Sequence, residues 1–247
     1  MKKALLLTCT LLSSSFVVNT AFADEKSHWG YSGDEGPENW AQLTAENNAC
    51  SGKNQSPINL TGFIEADLSP ITFNYLSGGD QVVNNGHTVQ VNYQAGSSIK
   101  IDGEQFNLLQ FHFHAPSENH INGKSYPLEA HLVHADKQGN LAVVAVMFEQ
   151  GATNSLLAKS WQNMPEHAGD KNKLTDNVNV DMLLPKNRDY YRFNGSLTTP
   201  PCSEGVRWLV MKDPVTVSKQ QIEQFKHALH EPNNRPIQAV NSRVVLK

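Results

Sequence analysis

The run Leu141-Ala142-Val143-Val144-Ala145-Val146-Met147-Phe148 is apolar throughout, rich in β-branched residues and preceded by the turn residues Gln138-Gly139-Asn140. A strand with one wet face alternates apolar and polar side chains, so a strand without alternation must be covered on both faces. The run therefore predicts a strand in the middle of a sheet; a buried helix is the alternative, and the β-branched content speaks against it. Shorter β-type runs accompany it: Ile71 to Tyr75, Thr88 to Tyr93, Ser98 to Ile101, Phe106 to His114, Leu128 to His134, Tyr190 to Asn194 and Val206 to Met211. Gly78-Gly79, Asn85-Gly86 and Asp102-Gly103 supply turn chemistry between them. Helical pattern is scarce. Asn154 to Gln162 is one candidate. Ser218 to His230 is the other, with a capping-box pair in Ser218 and Gln221, a shared face of Ile222, Phe225 and Leu229, and Pro232 beyond its end. No repeat, low-complexity tract or long Pro/Ser-rich linker divides the chain. The expected fold is mostly β (α+β), one large sheet with short helices at its periphery.

The chain opens with Lys2 and Lys3, an apolar stretch from Ala4 to Leu12 and the small-residue site Ala21-Phe22-Ala23, the pattern of a secretory signal. The stretch is interrupted by Thr8, Thr10 and Ser13 to Ser15 and falls short of the about 20 apolar residues a retained membrane helix needs. Residues 1–23 read as leader and 24–247 as one mature domain, large enough for a sizeable core. Cys9 lies too early in the apolar stretch to be a lipoprotein site. Without Lys2 and Lys3 the 20 basic residues become 18 against 24 acidic ones, a net charge of −6. Such a chain, with no basic run, has no electrostatic footprint for nucleic acid or an anionic membrane surface, and a small substrate is expected. Export to an oxidising compartment leaves Cys50 and Cys202 one intramolecular pairing, so a Cys50–Cys202 disulfide is expected, with two separate buried thiols as the alternative. A periplasmic location fits, full secretion being the alternative.

In Gln110-Phe111-His112-Phe113-His114 the period of two sends Phe111 and Phe113 to one face and Gln110, His112 and His114 to the other. After the linker Ala115 to Pro127 the chain can return antiparallel as Leu128-Glu129-Ala130-His131-Leu132-Val133-His134, with Glu129, His131 and Val133 sharing a face. If the two faces meet, three imidazoles converge, and three histidines with an open position suit a catalytic zinc ion. Copper or nickel could use the same nitrogens, but a tetrahedral set of neutral imidazoles and water suits zinc best. Gln110 and Glu129, each two residues before a histidine, are placed to fix tautomers. The plain alternative is that His112 and His114 are ordinary strand residues. His134 faces away from His131 by alternation and reads as structural.

Those three segments, with Ser117-Glu118-Asn119-His120 and Asn194-Gly195-Ser196-Leu197-Thr198-Thr199-Pro200-Pro201, resemble the signature of the α-class carbonic anhydrases. His28-Trp29-Gly30-Tyr31, Gln55-Ser56-Pro57-Ile58-Asn59 and Asn85-Gly86-His87 match in the same order, so the likeness runs from about residue 28 almost to the C-terminus. The resemblance implies a mainly antiparallel, twisted central sheet with a cavity on one face. It implies one Zn2+ on His112, His114 and His131, and reversible hydration of carbon dioxide to bicarbonate and a proton by a zinc-bound hydroxide. Thr198 matches the threonine that accepts from that hydroxide and donates to a carboxylate, here Glu118. Val133, Val143, Leu197, Thr199, Val206 and Trp208 match the substrate pocket, although core packing would explain each apolar one taken alone. His87 matches the proton carrier, and Tyr31, Asn85 and Gln90 match the residues that organise a water chain, Gln90 replacing an amide one methylene shorter in animal members. Sulfonamides and anions are the inhibitors implied, and a side esterase activity is expected.

After His114 the chain has Ala115-Pro116 where many animal members have Trp-Gly, which alters the cavity rim and not the metal chemistry. A non-catalytic binding domain of the same fold is the main rival; such proteins lack one or more ligands, and none is missing here. A zinc hydrolase acting on esters is the second rival. A purely structural zinc site is disfavoured, because closed sites supply four ligands. The sequence is compatible with a monomer or a dimer.

Overall fold

The computed structural model describes residues 28–247, so the expected leader over residues 1–23 lies outside the described residues. Thirteen strands occur among the described residues: β1 Asn59–Leu60, β2 Thr72–Asn74, β3 Gly79–Asn84, β4 Val89–Tyr93, β5 Ser98–Ile101, β6 Glu104–His114, β7 His120–Ile121, β8 Leu128–Ala135, β9 Leu141–Gln150, β10 Lys171–Val178, β11 Tyr190–Ser196, β12 Glu204–Met211 and β13 Val215–Val217. Eleven of them form one sheet with the path β10-β3-β4-β6-β8-β9-β12-β11, while β2 and β5 join beside β6, β13 lies beside β9, and β1 pairs with β7 separately. Pairing within the large sheet is antiparallel except where β12 and β13 run parallel to β9.

The apolar run is the sheet's centre, as its lack of alternation requires. Ala142, Val144, Val146 and Phe148 of β9 lie in the core on one face, and Val143, Ala145 and Met147 in the core on the other. Each fully buried Val, Phe or Met side chain of this kind stabilises the fold by roughly 1.5–3 kcal/mol. The first core also takes the apolar side of α3 (Lys219–Leu229), through Ile222, Phe225 and Ala228. Ser218 caps that helix, and the reciprocal capping box with Gln221 is formed. The other expected helix spans Ser155–Ser160, with the Asn154 side chain accepting from the amides of Leu156 and Leu157.

Five strands escape the sequence pattern: the short β1, β7 and β13, and the longer β3 and β10. Gly78-Gly79 reads as a turn, yet Gly79 opens β3 because the chains close up there: a Cβ on it would lie 2.6 Å from Val178 Cγ2. Opposite it β10, Lys-Asn-Lys-Leu-Thr-Asp-Asn-Val, carries no apolar stripe and is held at the sheet edge by its ladder to β3.

His134 behaves as a core residue. It is 0 % exposed, stacks on Tyr75, and places Nε2 2.8 Å from the Tyr75 hydroxyl and Nδ1 3.3 Å from the Ala142 carbonyl. Burial lowers its pKa from 6.5 to about 4, partly opposed by backbone hydrogen bonds. A depressed pKa means that the folded state prefers neutral His134. Its contribution is therefore complete above pH 6.5 and is lost as the pH falls towards 4. Between pH 7 and pH 4.5 this group removes ~2–3 kcal/mol of stability. Urea unfolding of His134→Gln should show a shallower acid decline than the wild type; equal slopes would contradict the assignment.

Candidate metal centre

The antiparallel register of β6 and β8 sets His112 directly opposite His131, with Phe113 opposite Ala130 and His114 opposite Glu129. The period of two then gathers the three imidazoles on one face. One nitrogen from each of His112, His114 and His131 lies within 4.8 Å of the others, and no other cluster of this kind occurs among the described residues.

The remaining nitrogen of each ring is committed. His112 Nδ1 donates to Gln110 Oε1 at 2.8 Å, His114 Nδ1 to the Asn233 carbonyl at 2.7 Å, and His131 Nε2 to Glu129 Oε1 at 2.9 Å. Carbonyl and carboxylate oxygens only accept, so these bonds put the protons on those nitrogens. Nε2 of His112, Nε2 of His114 and Nδ1 of His131 are left as lone-pair donors. His114 Nε2 is buried with no hydrogen-bond partner, and an orphaned buried acceptor among neutral imidazoles is what a metal ion would satisfy. Burial pushes the pKa of all three histidines below 6.5, and for His112 and His131 well below, which keeps them neutral and able to ligate. The donor set fits a divalent ion of the zinc type.

Glu129 is fully buried and saturated. Besides His131 it accepts from Asn119 Nδ2 and from the amides of Glu118 and Asn119, each at 2.8 Å. Glu118 is equally buried. Its Oε1 accepts the Arg235 amide at 2.9 Å, and its Oε2 lies 3.6 Å from His114 Nε2. Burial raises the Glu118 pKa well above the usual carboxylate range, the nearby Thr198 side chain and the Arg235 amide pull it back, and Oε2 is buried without a hydrogen-bond partner.

A cavity of ≈130 Å³ opens at the histidines, lined by Tyr31, Asn85, His87, Gln90, Gln110, His112, His114 and Thr199, together with Trp29 and Thr88. His87 and the three expected water-organising residues thus share one wall. Two of those residues are partly committed elsewhere: Asn85 Oδ1 accepts the amides of His87 and Thr88, and Gln90 Nε2 donates to Asn92. The His87 ring stacks on Trp29 with centroids 3.7 Å apart. The expected pocket residues Val133, Val143, Val206 and Trp208 are not among those that line this cavity; they are buried in one apolar cluster with Leu197 packed against it, and the Trp208 ring stands edge-on to His131 at 4.8 Å. Trp208 Nε1 donates to the Ser196 carbonyl, anchoring the segment that leads to Thr198. The disulfide Cys50–Cys202 is formed, and the Cys202 amide donates to the Thr199 carbonyl at 2.8 Å.

Asn233 and Arg235 were not found by sequence reasoning, and Trp29 was named only within a matching segment, with no role. Asn233 acts on His114 through a backbone carbonyl, which leaves no mark on residue identity.

A family model described as eukaryotic-type carbonic anhydrase matches residues 35–247. A carbonic anhydrase of Klebsiella pneumoniae is 49% identical over 240 residues, covering 96% of both chains. One of Neisseria gonorrhoeae is 46% identical over 243 residues, 98% of this chain and 96% of that protein. The solved α-carbonic anhydrase of Thermovibrio ammonificans, in complex with the inhibitor sulfanilamide, superposes with a TM-score of 0.88 at 51% identity, covering 90% of this chain and 99% of that one. With a three-histidine centre on a sheet of this kind, the chain belongs to the eukaryotic-type, or α-class, carbonic anhydrase family.

Proposed function

We propose that this chain catalyses zinc-dependent, reversible hydration of carbon dioxide to bicarbonate and a proton, as one catalytic domain over residues 24–247 exported to the periplasm by the leader at 1–23. The observation that carries the reading is the convergence of three lone-pair nitrogens, each with its partner nitrogen fixed, beside a cavity with a polar wall, while the apolar cluster around Trp208 packs against His131. Zinc bound by His112, His114 and His131 would supply the Lewis acidity that makes water a nucleophile near neutral pH.

The protein's own groups do the rest. By its match to the family's threonine, Thr198 would donate its hydroxyl proton to Glu118, whose buried Oε2 has no other hydrogen-bond partner, and so offer only lone pairs to the cavity, selecting a ligand that donates there. The Arg235 amide holds Glu118 in place for that exchange. Carbon dioxide has neither charge nor dipole, and the Val133, Val143, Leu197, Val206 and Trp208 surface asks for no hydrogen bond from it. Thr199 lines the cavity beside the histidines. By the same reading, the site takes aromatic sulfonamides and small anions as inhibitors.

Each turnover leaves a proton to be exported, and His87 is half-buried on the polar wall with Tyr31, Asn85 and Gln90 around it. Burial and the neighbouring His28 lower its pKa from 6.5, with Glu231 opposing. His87 is therefore neutral at pH 7 and ready to accept; it stops accepting as the pH falls through a pKa that lies below 6.5. His87→Ala should lower kcat in dilute buffer about tenfold or more, leave kcat/KM nearly unchanged, and recover with added imidazole. Stopped-flow hydration at two buffer concentrations tests this, and a kcat insensitive to the substitution would remove His87 from the proton path.

A further inference from the structure

Asn233 follows α3 and is 2 % exposed. Its Nδ2 donates to the carbonyls of His87 at 3.0 Å and Phe113 at 2.9 Å, its Oδ1 accepts the Ala115 amide at 2.9 Å, and its own carbonyl takes His114 Nδ1. Both amide hydrogens and the amide oxygen are thus used inside the protein, none of them on solvent. On one side they reach the backbone of His87; on the other they reach Phe113 and Ala115, which flank His114 at the end of β6. Thr88 reinforces the same junction, its hydroxyl lying 2.6 Å from the Phe113 carbonyl. Filling space requires only shape. Joining two carbonyls and one amide requires a group with two donors and an acceptor, which at this size only a primary amide provides.

We propose that Asn233 is a positioning residue for proton transfer: its side-chain amide sets the place of the His87 backbone relative to the strand that carries His112 and His114. The proposal rests on the reading of His87 given above. The carbonyl that orients His114 belongs to the main chain, so a side-chain substitution separates the two duties of this residue.

Asn233→Asp is isosteric, keeps an acceptor for the Ala115 amide, and turns an oxygen towards the two carbonyls. In stopped-flow hydration at low buffer its kcat should fall about tenfold, with a much smaller loss in kcat/KM and recovery on adding imidazole. In the zinc-free protein, amide exchange at His87 and Thr88 should quicken about tenfold, a readout independent of activity. Introduced into His87→Ala, the same substitution should cost no further kcat, because the two act on one step. Equal losses in kcat and kcat/KM without imidazole rescue, or an unchanged kcat, would overturn the proposal. If Asn233→Asp does not fold, Asn233→Ser, whose hydroxyl can still accept from Ala115, carries the same tests. A wild type without hydration activity would sink the functional reading itself, whereas a buffer-insensitive Asn233 variant of an active wild type sinks only this inference.

Discussion

Replacing His131 with alanine should lower kcat/KM for carbon dioxide hydration by ~10³-fold or more, equivalent to at least about 4 kcal/mol of transition-state stabilisation, and should abolish the stoichiometric zinc binding proposed for the wild type. The size follows from the site's construction. In the proposed ligand set His131 would be the one member contributed by β8, and the two histidines of β6 could not enclose an ion alone. Its loss also strips Glu129 of a donor inside the protein, where an under-satisfied carboxylate costs on the order of 1–3 kcal/mol. His134→Gln, three residues along the same strand, supplies the contrast. That side chain faces the opposite core with Tyr75, so the substitution should change acid stability while leaving kcat/KM within about twofold of the wild type. Zinc content by atomic absorption, read beside the hydration rate, separates the two. An active, zinc-replete His131→Ala protein would refute the ligand assignment.

The second large effect is on stability. Cys50 and Cys202 are joined across a sequence separation of 152, and substituting serine for both should cost roughly 3–5 kcal/mol. For a domain of this size that corresponds to a fall in Tm of about 10 °C. The bridge is knotted into the site's frame: Gln55 Nε2 donates to the Cys202 carbonyl, and Arg235 Nη2 donates to that of Cys50. The cost should thus be accompanied by loosening around Thr199, whose carbonyl accepts the Cys202 amide. Thermal unfolding of the double serine variant in oxidising buffer measures it; a Tm within about 2 °C of the wild type would show that packing alone holds the loop.

Much of this site was legible in the chain because it obeys local periodicity. Alternation put His112 and His114 on one face, Glu129 and His131 on another, and the observed register does no more than bring those faces together. Alternation likewise turned His134 away from His131 as a structural residue, and its failure over Leu141 to Phe148 marked the strand covered on both sides. The disulfide followed from counting cysteines in an exported chain. What stayed hidden depends on contacts without a periodic signature. β12 lies parallel to β9 after a long excursion, and pairing partners at that distance are decided by tertiary packing. β10 is polar along its whole exposed length and exists by virtue of its ladder. Asn233 sits in Pro232-Asn233-Asn234, a tripeptide that reads as a turn, and meets His114 across 119 residues through main-chain oxygen. The roles of Thr198, His87 and the pocket residues were carried by family resemblance, since an isolated Thr, His or Val announces no chemistry.

The most direct test of the zinc-dependent reading is stopped-flow carbon dioxide hydration by the purified mature protein, as isolated, after chelation, and after zinc is restored. Fast hydration that disappears with the metal and returns at one equivalent of zinc per chain is the predicted result. A protein that binds one zinc tightly on the three histidines and hydrates no carbon dioxide would contradict it, and would leave the fold serving as a binding domain.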